Sequence, residues 1–135
     1  MSEKEFRVAE AAALLGVSDD TVRRWAAGGR LNLKDGDGGV KVVDGAELAA
    51  LAAAENPAEP DGSATFSVRN RMRGLVTAVK VDGVMAQVDI QAGPFRLVSL
   101  ISSEAVEQLG IEVGRAVVAT AKATNVGVEI LSEIQ

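Results

Sequence analysis

Near the middle of the chain, AENPAEPDGSA (residues 54–64) holds two prolines, a glycine and three carboxylates, with no large apolar side chain. Such a stretch cannot bury enough surface to offset the entropy of ordering it, and it reads as a linker. The texture changes across it. Alanine and leucine at helical spacing dominate before the break, whereas valine and isoleucine alternating with polar residues dominate after it. A chain of 135 residues is thereby divided into two small domains, residues 1–53 and 65–135, joined by the linker 54–64. Domains below about 70–80 residues bury modest cores, so self-association into a homo-oligomer, a dimer or a hexamer, is expected.

Several chemistries are excluded by what the chain lacks. It has no cysteine and no histidine, which removes disulfides, thiolate and imidazole metal sites, and the usual general base. No Walker loop or carboxylate dyad is visible, so no enzyme activity is expected. The apolar stretches stop well short of the ~20 residues of a membrane span, and the N-terminus MSEKEFRVAEAAALLG is acidic where a signal peptide is basic. A soluble, cytoplasmic protein with no membrane partner is expected. The formal net charge is −5, which argues against a strongly basic nucleic-acid binder and leaves room for local basic patches. Residues 1–55 carry seven Lys/Arg against ten Asp/Glu, while from residue 63 onward there are seven of each sign.

In the first half, VAEAAALLG (8–16) places Val8, Ala12 and Leu15 on one helical stripe, with Gly16 as its C-terminal stop. Ser18 is a good N-cap for a second helix whose first turn holds Asp19 and Asp20, and Val22 with Trp25 forms its buried face. LNLKDGDGGVKVVDG then suits a hairpin, and Asp44 with Glu47 three residues on suggests a capping box opening a third helix. This order, around VAEAAALLGVSDDTVRRWAAGGRL, resembles the MerR/excisionase-like winged helix-turn-helix family over residues 6–52. The resemblance implies a second helix that enters the major groove of double-stranded DNA, with Thr21, Arg23 and Arg24 on it and Trp25 as core anchor, and a wing whose contact is Lys41. Here the wing also carries Asp35 and Asp37. Phosphate contacts supply much of DNA affinity, so a single copy should bind weakly, and the helical half could instead serve assembly.

In the second half, MRGLVTAVKV, VMAQVDIQA and FRLVSLI read as strands, joined by a D-G hairpin signal at Asp82-Gly83 and a looser turn at Gly93-Pro94. SSEAVEQLG reads as a short helix, and GRAVVATAKATNVGVEIL as two further strands broken near Thr124-Asn125. Five strands with one short helix is the element count of a small OB-like barrel, and the chain as a whole is α+β. SVRNRMRGLVTAV, SLISSEAVEQLGIEVG and VVATAKATNV together resemble the Mop or TOBE domain of molbindins, molybdate-responsive regulators and some transport ATPases, over residues 66–131. The resemblance implies molybdate or tungstate bound at subunit interfaces.

The donor chemistry can be read independently. A tetrahedral dianion needs donors from several directions, a cation or two, and no carboxylate to repel it. Ser67, Arg69 and Asn70 supply donors in one motif, Ser102 and Ser103 in a second, and Lys122, Ala123 and Thr124 in a third. By resemblance, Arg69 and Lys122 are the charged ligands, Ser67 and Ser102 the hydroxyl ligands, and the Ala123 N–H a main-chain donor. Ala105 stands where family members often have serine, a loss Ser103 could offset. Arg69, Arg71 and Arg73 alternate, as charges guarding a strand edge or an RNA-binding surface would, but with only Phe66 and Phe95 in this half base stacking has little to work with. The two halves together imply a molybdate- or tungstate-responsive transcriptional regulator, with a molybdate-storage protein as the alternative.

Overall fold

A computed structural model describes residues 4–56 and 68–131, with the side chains of Val68 and Arg69 left out. These residues form two compact units, one in each half of the chain. The expected linker falls mostly outside them, at residues 57–64, and its first residues are helical.

The N-terminal unit is helical with a small sheet. Its first helix, α1 (Val8–Leu15), ends at Gly16, whose φ of 68° is the left-handed turn that glycine adopts at little cost. The second, α2 (Asp19–Ala27), is capped by Ser18, whose Oγ accepts from the Thr21 N–H at 3.1 Å. Val8, Ala12 and Val22 are buried as their spacing predicts, and Leu31, Val43 and Leu48 complete the core, with Trp25 packed at its margin. The guanidinium of Arg30 lies 5.8 Å from the Trp25 ring centroid.

Three features differ from the local reading. The hairpin strands β2 (Lys34–Asp35) and β3 (Lys41–Asp44) are joined by a 3₁₀ turn at Asp37–Gly39, and a further strand, β1 (Glu5–Arg7), pairs with β3 on its other side. Three residues carry no alternation long enough to announce a strand. Asp44 does precede the third helix, α3 (Gly45–Glu55), but its side chain makes no capping bond. The carboxylate of Glu47 instead accepts from the Asn32 N–H at 2.6 Å, so a tertiary partner has replaced the capping box. Finally, α3 runs through Glu55, beyond the expected domain end at residue 53.

The C-terminal unit is built around one long strand, β4 (Val68–Asp82), followed by β5 (Met85–Ala92), β6 (Phe95–Ser102), α4 (Ser103–Leu109) and β7 (Ala116–Lys122). The sheet order is β6-β5-β4-β7, all antiparallel. Both hairpins use two-residue loops with a glycine first, Gly83-Val84 and Gly93-Pro94, where φ is 64° and 58°. The second is thus tighter than expected, since glycine in the first position suits the mirror-image turns that match strand twist. Val76, Ala86, Val88, Ile90 and Val106 form the core on one face. On the other face of β5, Asp89 accepts from Arg96 Nη2 at 2.6 Å and Nε at 3.0 Å, and from Gln87 Nε2 at 3.0 Å. The Gln87 bond foremost, then Arg96, hold its carboxyl below the ordinary aspartate range.

The expected fifth strand is the main difference. Among the described residues, β7 is followed by a 3₁₀ turn at Ala123–Asn125, and residues 126–131 pair with nothing. The single chain is a curled half-barrel of four strands. A strand is defined by its partner, and none stands beside 126–131 among the described residues.

Strand β4 pairs with β7 over Val68–Leu75 and with β5 over Leu75–Asp82. Gly74 sits at the changeover. A Cβ built there would lie 2.5 Å from Ile90 Cγ2 and 2.8 Å from the Gln91 carbonyl oxygen. Gly74→Ala should therefore force β4 and β5 apart and cost about 1–3 kcal/mol. Denaturant unfolding, followed through the C-terminal unit, measures it.

Candidate oxyanion and nucleic-acid sites

The third and first donor motifs of the C-terminal half are brought together by strand pairing. Val68 stands opposite Lys122 and Asn70 opposite Ala121, so Arg69 is an extra residue in β4, a β-bulge. Beyond the bulge, Arg71 and Arg73 are exposed. Asn70 Nδ2 donates to the Ala121 carbonyl at 3.1 Å, fastening the bulged end of β4 to the end of β7. Lys122 then opens the 3₁₀ turn Ala123–Asn125, which packs against β4. Lys122, Ala123 and Thr124 are all exposed. Neither 68–71 nor 120–125 contains a carboxylate. Ser67 lies outside the described residues, and of Arg69 only the backbone is placed.

The second motif lies elsewhere. Ser102 caps α4, its Oγ accepting from the Ala105 N–H at 3.0 Å, which leaves its own proton free to donate. Ser103 is more committed: its Oγ donates to the Gly83 carbonyl at 2.7 Å and its N–H to the Val84 carbonyl at 2.8 Å. These bonds tie α4 to the β4–β5 turn, at the far end of β4 from Asn70. Twelve residue steps of β4, from Asn70 to Asp82, span roughly 40 Å at about 3.3 Å each if extended. Pairing therefore places Lys122 beside the Arg69–Asn70 bulge, and Ser102 opposite Met85 at the other end of β4.

In the N-terminal unit, Arg23 of α2 and Lys41 of the wing line one hollow. Arg7, immediately ahead of α1, joins them there, a residue the sequence reading passed over. Its signal was a cation at a cap position where Ser or Thr is favoured. The other candidates are partly occupied. Lys41 Nζ lies 2.7 Å from Asp35 Oδ1, and Arg23 Nη1 lies 3.8 Å from Asp20 Oδ1. Arg24 Nη2 donates to Thr21 Oγ1 at 3.3 Å, and the Thr21 hydroxyl also meets Ser18 Oγ at 3.0 Å.

Comparison with known proteins adds to this geometry. The model of the TOBE domain matches residues 67–128, and that of a helix-turn-helix domain matches residues 5–56. Molybdenum-pterin-binding proteins 3 and 2 of Clostridium pasteurianum are 38% and 36% identical over 63 residues, spanning 46% of this chain and 93% of each relative. Among solved structures, MopII from Clostridium pasteurianum is 33% identical with a TM-score of 0.46, covering 48% of this chain and 98% of its own. A molybdate binding protein from Sporomusa ovata is 29% identical with a TM-score of 0.47, covering 48% and 97%.

The Asn70–Ala121 bond is the part of this site that stability can report on. Asn70→Ala leaves a half-buried carbonyl without its donor, a loss of about 1–2 kcal/mol. A melt of the ligand-free chain should show the C-terminal unit unfolding on the order of 5 °C earlier.

Proposed function

We propose, because the chain belongs to the TOBE-domain family and carries a helix-turn-helix domain ahead of that fold, that it is a molybdate- or tungstate-responsive DNA-binding regulator. The observation that carries the oxyanion half is the β4–β7 register. It sets the Arg69 bulge, Asn70 and the Lys122–Thr124 turn side by side without a carboxylate among them. Two cations and several N–H and O–H donors from two directions suit a dianion. The name of the relatives, molybdenum-pterin-binding, supports a molybdenum oxyanion as that dianion.

Because Ser102 lies at the far end of β4 from this bulge, a pocket using both ends is shared between copies in a homo-oligomer. Ion binding then favours one arrangement of copies over another, and so changes how many helix-turn-helix units act together on DNA. In this reading Arg69 and Lys122 carry the charge, Ser67 and Ser102 give hydroxyls, Asn70 braces the bulge, and the Ala123 N–H and Thr124 complete one wall. Ser103 holds α4 in place. Thr21, Arg23, Arg24 and Lys41, with Arg7, contact DNA.

A second reading, molybdate storage with the helical unit serving assembly, is favoured by one observation. Lys41 and Arg23 are paired with the chain's own aspartates, which compete with phosphate for them.

Calorimetry on Arg69→Ala and Lys122→Ala should each show molybdate affinity falling by about 2 kcal/mol, as a charge-assisted hydrogen bond is lost. Unchanged affinity in both removes the site. Fluorescence anisotropy with duplex DNA, with and without molybdate, separates the two readings. The regulator reading expects molybdate to alter DNA affinity, and expects the Arg23→Ala, Arg24→Ala double variant to lose DNA while keeping the ion. Negligible DNA affinity at low salt in both states would leave storage.

A further inference from the structure

The cations of the two units are held differently. In the N-terminal unit Arg23, Arg30, Lys34 and Lys41 each face a carboxylate of their own chain, at 3.8, 2.7, 2.9 and 2.7 Å. In the C-terminal unit Arg96 is likewise tied to Asp89, at 2.6 Å. Arg71, Arg73 and Lys122 are not. Each is exposed, and none has an ion-pair partner among the described residues.

Strand pairing collects these cations on one face. Along the β4–β7 ladder Met72, Val117 and Ala119 turn toward the apolar side of the sheet. By alternation Arg71 and Arg73 lie on the other side, with Arg71 opposite Thr120 and Arg73 opposite Val118, and both partners are exposed. No Asp or Glu occurs in residues 68–75 or 116–122, so no carboxylate on this ladder competes for the two guanidinium groups. Farther along the sheet the same face acquires Asp89, with Lys80 close enough to act on its charge. The unshared positive charge is therefore confined to the β4–β7 end.

Side chains two residues apart on a strand stand side by side, about 6.6 Å apart along it, and do not converge on one point. Such a pair suits a line of phosphates better than a single small anion. The ladder has no aromatic side chain, so bases have nothing to stack on and the contact is with the sugar-phosphate backbone. We propose that the outer face of the β4–β7 ladder, through Arg71, Arg73 and the Thr120 hydroxyl, is a second DNA-contact surface, one that binds the phosphate backbone of the duplex without regard to sequence. It rests on the DNA-binding reading of the helix-turn-helix unit, and it provides what that unit has in short supply, cations free of their own carboxylates. Residues 57–67, eleven in number, separate the two units. A chain of that length reaches at most about 40 Å, little more than the roughly 34–36 Å of one DNA turn. A duplex held by one unit thus lies within reach of the other, and the second contact forms within the complex. Lys122 borders this face but belongs to the proposed oxyanion site, so the surface and its test are confined to Arg71, Arg73 and Thr120.

Fluorescence anisotropy of the full chain with labelled duplex DNA, repeated over a salt series, tests the surface. The double variant Arg71→Gln, Arg73→Gln should bind at least about ten-fold more weakly near 0.1 M salt, and its slope of log affinity against log salt should be shallower by about 1.8 per bound copy. The loss should be the same on duplexes of unrelated sequence. Lys80→Gln, which removes a cation beside Asp89, should leave the slope unchanged. Thr120→Lys should steepen it by about 0.9 per copy, a gain that misfolding does not produce and that decides the point should the double variant not fold. An unchanged slope in both the double variant and Thr120→Lys, or an equal loss per charge in Lys80→Gln, overturns the surface and leaves the helix-turn-helix reading standing. A loss confined to one sequence overturns the backbone contact, and single-stranded RNA that displaces duplex DNA of equal length overturns the choice of partner. Wild type without DNA affinity at low salt removes the DNA-binding reading and this surface with it.

Discussion

At Gly74 one strand changes partner. The first half of β4 is laddered to β7 and the second half to β5, and the close approach this requires leaves no room for a Cβ. Much of the C-terminal unit follows from that arrangement. Because β4 is shared end to end, its two ends lie far apart, and the polar motifs fall at opposite ends: the bulge with Asn70 and Lys122 at one, Ser102 and Ser103 against the β4–β5 turn at the other. Because β5 and β7 flank β4, the sheet ends in two free edges, β6 and β7, with an apolar gap between them.

Polar groups near these motifs divide into those the fold consumes and those it leaves without a partner among the described residues. The Ser103 hydroxyl is consumed by the Gly83 carbonyl and the Asn70 amide is engaged by Ala121, while Asp89 is tied to Gln87 and Arg96 on the opposite sheet face from the core. Lys122, Thr124 and the donor proton of Ser102 remain. The N-terminal unit shows the reverse economy: Lys41, Arg23 and Arg30 face Asp35, Asp20 and Glu55. Exposed pairs of this sort contribute little to stability, typically below about 1 kcal/mol each. Their larger effect is to lower the positive field around these three cations.

What was legible in the sequence is what short-range physics writes there. Ser18 caps its helix, Gly16 stops the one before it in the left-handed conformation, and Val8, Ala12 and Val22 turn inward at helical spacing. Each depends on neighbours within four residues, which a single sequence displays. The two-domain division and the polar motifs themselves were visible for the same reason, since composition and local spacing carry them.

Only the tertiary structure decided which motifs meet. That Arg69 is a bulge residue, that β1 joins the wing, that Glu47 serves Asn32 rather than its own helix, and that residues 126–131 find no partner in their own sheet all depend on contacts distant in sequence. Ladder register has no local signature: a strand's alternation says which residues share a face, not which strand lies beside it or where a register slips. For this chain, residue identities determined which donors and cations it carries and that no carboxylate stands among them at 68–71 or 120–125. The pairing of β4 with β7 decided that Asn70 and Lys122 stand together and Ser102 stands apart.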